Sequence, residues 1–138
     1  MATKNDNTIL VLKDKLKKKR AELGTEPKFT PVTTCVFTLY GEKVNIHTLD
    51  NSRVLFYIAQ FRAMIDAVGD YVDAHPEDII IDGFNIVEWH DDLLQRFAYI
   101  QYMNKLKELT ALEHKLDKLL SADKKVELEL DDIAKLLN

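Results

Sequence analysis

Few side chains in this chain have both the type and the spacing for chemistry. The four histidines are His47, His75, His90 and His114, and the run Glu88-Trp89-His90-Asp91-Asp92 gathers several metal-ligand types. That run lacks the HExxH or His-x3-His spacing that sets two ligands on one helical face, so it is expected to hold no metal. His75 would need a fold contact beyond its neighbour Asp73 to make a site. His114, between Glu113 and Asp117, falls on an exposed helical position. Cys35 is the only thiol, and the hairpin register given below sets it on an apolar face, where a thiol is a small hydrophobe with a raised pKa. Ser121-Ala122-Asp123-Lys124 matches the S-x-x-K string of some serine acyltransferases. Without that family's companion motifs it reads as the N-cap of a helix. No GxxxxGK[ST], GxGxxG or GxSxG occurs, and four glycines are too few for a phosphate-cradling loop. These residues predict a protein that is not an enzyme and uses no cofactor.

Charge is the stronger signal. The net charge of −4 hides two opposed segments. Residues 1–28 hold eight bases against four acids, whereas no Lys or Arg occurs between Arg62 and Arg96, a stretch with nine acids. Within that stretch Asp70, Tyr71, Asp73, Glu88, Trp89, Asp91 and Asp92 are the candidate partner-binding residues, because aromatic groups ringed by charge anchor interfaces. The competing readings are a solubilising face and, for Trp89, a place in the core beside Ile86 and Leu93. The basic run supplies Lys13, Lys17, Lys18, Lys19 and Arg20 as candidate nucleic-acid contacts. No aromatic residues interleave there for base stacking, which favours a solvated helix face. A third reading packs this basic helix against the acidic segment.

Several elements must position these residues. Ile9, Leu12, Leu16 and Leu23 mark a helix over about 8–23, with Lys13, Lys17 and Arg20 opposite and Gly24 as a left-handed cap. Residues 24–32 are an extended connector. The segments 33–40 and 43–48 predict a hairpin with Gly41-Glu42 as a type II′ turn. Leu39 then faces Val44, and Cys35, Phe37, Leu39, Val44 and Ile46 share one face. A central helix capped by Asp50, Asn51 or Ser52 runs to about Val68, or past Gly69 to Ala74, with Val54, Leu55, Ile58, Phe61, Ile65, Val68 and Val72 on one face. Ile79-Ile80-Ile81 reads as an extended segment or small edge strand. Asn85 caps a long helix over 86–120. Its seams are Ile86, Trp89, Leu93, Phe97 and Ile100, then Leu109, Leu112, Leu116 and Leu119. Val126, Leu130, Ile133 and Leu137 mark a C-terminal helix folding back on it, antiparallel.

The predicted fold is α+β and mostly α-helical: a β-hairpin packed on a central helix, followed by a helical hairpin. One domain, 1–138, is expected, made of a basic arm (1–28), the hairpin with its helix (29–84) and the helical hairpin (85–138). The chain has no run of eighteen apolar residues and its first six residues lack a signal-peptide core, so it is expected in the cytoplasm, away from membranes. The single cysteine agrees with a reducing compartment.

Phe29-Thr30-Pro31-Val32-Thr33-Thr34-Cys35 and Tyr40-Gly41-Glu42-Lys43-Val44-Asn45-Ile46-His47 resemble small uncharacterised proteins of tailed bacteriophages. The stretches 112–125 and 127–133 resemble them too. The resemblance implies a viral accessory protein acting in the host cell cytoplasm, and carries over no activity, ligand or site residue. The expected function is binding of a host or phage protein through an acidic, partly apolar helical surface, with inhibition of a host enzyme or defence factor as one form. The alternatives are a nucleic-acid accessory protein using the basic helix, and a homodimer through a coiled coil of the long helix.

Overall fold

The computed structural model describes residues 4–119 and 126–137, and the side chains of 7–119 and 130–137. The fold is α+β and mostly helical. Its elements are α1 (Lys4–Leu23), β1 (Val36–Leu39), β2 (Glu42–Asn45), α2 (Asn51–Gly69), β3 (Ile80–Ile81), β4 (Phe84–Asn85), α3 (Ile86–Leu119) and α4 (Val126–Leu137). The expected N-cap Ser121 lies outside the described residues, as does the turn of the helical hairpin.

The chain divides into two compact units, residues 26–102 and residues 1–25 with 103–138. Helix α3 explains the division. Its 34 residues extend about 50 Å at a 1.5 Å rise, too far for one small core to follow. Its first seam, Ile86, Trp89, Leu93 and Ile100, is buried in one core. Its second, Leu109, Leu112, Leu116 and Leu119, is buried in another. Each seam thus packs on this chain's own side chains.

In the 26–102 unit the hairpin lays Cys35, Phe37, Leu39, Val44 and Ile46 on α2 and the start of α3. Phe37 sits at the centre, with edge or tilted ring contacts to Tyr57, Phe61 and Trp89 at 5.1–5.5 Å. The apolar face is the expected one, but the register differs. Phe37 pairs with Val44 and Leu39 with Glu42, so the turn is Tyr40-Gly41, with φ of +52° and +76°. Positive φ at both central residues defines a type I′ turn, in which glycine belongs second. Moving the loop back by one residue changes each partner by two positions, which leaves every side chain on its face. The register also frees Glu42 to pair with Arg53 and to accept a hydrogen bond from the Tyr57 hydroxyl at 3.1 Å.

Strand β1 starts at Val36 because Cys35 is left-handed, at φ +64°. Helix α2 is capped by Asp50, which accepts from the Arg53 N–H at 2.8 Å, and ends at Gly69. Val72, expected on its buried face, therefore lies beyond the helix and is 97% exposed. Ile80-Ile81 pairs with Phe84-Asn85 in a second small hairpin, whose turn Asp82-Gly83 again has two positive φ values. Asn85 and Glu88 cap α3 reciprocally: the Glu88 N–H donates to Asn85 Oδ1 at 2.8 Å and the Asn85 N–H to Glu88 Oε1 at 3.1 Å.

In the other unit, α1, the second half of α3 and α4 share one core. Ile9, Leu12 and Leu16 meet Leu109, Leu112, Leu116 and Leu119, and Leu130, Ile133 and Leu137 complete it. Helix α4 packs on α1 and shares the core with the second half of α3. Lys13 pairs with Asp117 and Arg20 with Glu113, a descending order that sets α1 antiparallel to α3.

Candidate interaction surface

The structure separates the seven candidate partner-binding residues into two groups. Trp89, Asp92 and Glu88 serve the fold. Trp89 is fully buried, and its indole N–H is shared between the carbonyls of Ile81, at 2.8 Å, and Phe84, at 3.1 Å. Asp92 is the one charged residue buried outright among the described residues. Its carboxylate accepts from the backbone N–H of Val32 at 2.9 Å, from that of Thr33 at 3.0 Å, and from the Thr33 hydroxyl. One turn on, Gln95 exchanges hydrogen bonds with the backbone of Thr30. Together they fasten the connector to α3, as a buried carboxylate must be fully hydrogen-bonded to be tolerated. Glu88 is half-buried in its capping box. Trp89 and Asp92 present no free surface to a partner, against the expectation for them.

Asp70, Tyr71, Asp73 and Asp91 are exposed. The first three fall in the turn after α2, and here the structure adds residues that sequence reasoning missed. Tyr71 is 71% and Val72 97% exposed, and Ile79 and Ile80 are exposed a few residues on. Exposed Asp70, Asp73, Glu77 and Asp78 alternate with them along the chain. The single turn of 3-10 helix at Pro76–Asp78 packs on α2 and on β4, which keeps this segment against the unit. The available signal was Gly69, a helix terminator that strands Val72 outside the helix, and Asp82-Gly83, a hairpin turn that fixes Ile80 on a two-residue strand. Another member of the acidic segment, Asp82, is committed to the fold, accepting from the Thr38 N–H at 2.6 Å.

His90 lies between these groups. Its Nε2 is buried without a hydrogen-bond partner. Burial pushes the imidazole pKa below its ordinary 6.5 and the charge of Arg62 adds to this, while Asp91 and Asp66 oppose it. Burial, with the nearby Asp92 charge, likewise holds the Cys35 thiol above its usual range. That keeps the sulfur protonated and poorly nucleophilic.

The two units differ in charge. Residues 26–102 hold 5 basic against 12 acidic residues, or −7, and the remainder 14 against 11, or +3. Lys13 and Arg20 pair with Asp117 and Glu113 on α3, and Lys18 with Asp14 on its own helix. Lys13, Lys17 and Arg20 were expected opposite the apolar stripe. They flank it, lining a cleft with Leu16, Leu109 and Glu113, while Lys18 and Lys19 are exposed.

Among the described residues no group of three or more His, Cys, Asp or Glu is placed to hold a metal ion, and no helix is long and apolar enough to cross a membrane. Compared with protein-family models, curated proteins and solved structures, the chain matches none.

Proposed function

We propose that this protein acts by binding another protein, and that the contact is made by the turn and short strand after α2. The observation that carries this reading is the exposure of Tyr71 and Val72 among Asp70, Asp73, Glu77 and Asp78. A large apolar side chain at 97% exposure gains nothing for the fold and much for an interface. The surrounding carboxylates select a basic partner and speed its approach. Asp91 and Asp66, both within electrostatic reach of His90, extend the acidic field along α2 and α3. The role is non-enzymatic, supported by the protonated, buried state of the one thiol. The phage resemblance makes an accessory protein directed at a host or phage protein the working form of the proposal.

Affinity purification from host cells tests it, with the native chain and an Asp70→Lys/Tyr71→Ala/Asp73→Lys variant as paired baits. The expected result is a stoichiometric partner on the native bait that the variant loses, with unchanged melting of the variant. Identical partner sets on both baits, or none on either, would sink the proposal.

A further inference from the structure

Independently of that reading, we propose that the outward face of α2 is a dimer interface, on which a second copy of this chain docks antiparallel across a two-fold axis. Helix α2 is apolar on both sides. Its inner side buries Val54, Tyr57, Ile58 and Phe61 in the core of the 26–102 unit. At about 3.6 residues per turn, Phe56, Ala59, Ala63 and Ala67 fall on the opposite side. All four are exposed, Phe56 at 52%, and Leu55, expected on the inner face, is 43% exposed beside them. Tyr40 stands at one margin, 74% exposed, its hydroxyl donating to Gln60 Oε1 at 3.0 Å. A helix that is apolar all round belongs in an interior, yet the outer side of α2 is bare in the single chain.

The face is complementary to itself, and that selects the occupant. A two-fold contact needs one patch that fits its own rotated image. Along α2 the bases Arg53 and Arg62 precede the acids Asp66 and Asp70. Antiparallel pairing about a point between Ala59 and Ala63 sets Arg53 of each copy opposite Asp66 and Asp70 of the other. Arg53 keeps its pair with Glu42, because a guanidinium carries more N–H donors than one carboxylate uses. Each helix N-terminus also comes beside the other's C-terminus, which the helix dipoles favour. Small side chains at the crossing let the two axes approach closely, and each Phe56 ring then covers Ala63 and Ala67 of the facing helix. The −7 of each unit is spread well beyond this face and is screened over a Debye length of about 8 Å at physiological salt.

Light scattering on the full chain over a concentration series tests the proposal, with Ala63→Arg and Ala98→Arg as variants. Both alanines are exposed on helices, and arginine is a good helix former, so both variants should fold. The native chain is expected to pass from monomer to dimer as concentration rises. Ala63→Arg puts an unpaired charge from each copy at the crossing and should weaken the dimer by about a hundredfold or more, with an unchanged circular dichroism spectrum. Ala98→Arg, the same change on α3, should leave the dimer as it is. A native chain that stays monomeric at every concentration would overturn the proposal, as would a dimer that the two variants weaken equally or not at all. Exchange protection over 55–67 gained only in a complex with a different protein would give the face to that protein and overturn it too.

Discussion

At the scale of single residues, two members of the acidic segment with the same chemistry have opposite fates. Asp73 is exposed, whereas Asp92 is buried beneath three donors. Asp92→Ala leaves two backbone N–H groups and a hydroxyl without their acceptor. It should cost about 3 kcal/mol of stability, with Asp92→Asn recovering part of that. Chemical denaturation of both variants measures this, and an unchanged midpoint in Asp92→Ala would show the connector is held otherwise. His90 contributes a pH dependence. Its pKa is lowered in the folded chain, so around pH 6 the unfolded chain binds a proton that the folded chain does not. The contribution of neutral His90 is therefore complete above about pH 6.5 and is lost as pH falls through the lowered folded value. The native chain should lose stability over that range faster than His90→Gln, as denaturation midpoints at a series of pH values would show. Parallel curves would place the acid sensitivity elsewhere.

At the scale of elements, much of the fold was legible in the sequence, because helix starts and periodic seams are local signals. Asn85 opens α3 at Ile86 as its side chain predicts, Gly24 follows α1 with φ +76°, and the hairpin buries the expected face. The turn was misplaced because Gly41 suits either the first position of a type II′ turn or the second of a type I′. Only the partners available to Glu42, Arg53 and Tyr57, decide between them, and those lie 11 and 15 residues away. Gly41 carries φ +76° with open space where a side chain would go. Gly41→Ala should therefore cost about 1 kcal/mol through backbone strain alone, read as a lower melting temperature with an unchanged spectrum. A neutral substitution would contradict the left-handed conformation at Gly41. The candidate site was less legible. Asp92 and Trp89 carry interface-like side chains, and what removes them from the surface is a connector some 60 residues earlier and a hairpin just before α3. Such distant contacts leave no periodic trace in the chain.

At the scale of the molecule, the small net charge resolves into a unit at −7 and a unit at +3, a division drawn by α3 passing through both cores. The acidic unit carries exposed apolar residues in a turn, and the basic unit turns two of its cations onto its own carboxylates. Hydrogen–deuterium exchange on the purified complex with its protein partner tests the central claim most directly. The account predicts new protection over residues 66–80 and none over 13–20, fading as salt screens the acidic surface. Protection confined to 13–20, with residues 66–80 exchanging as in the free chain, would contradict it.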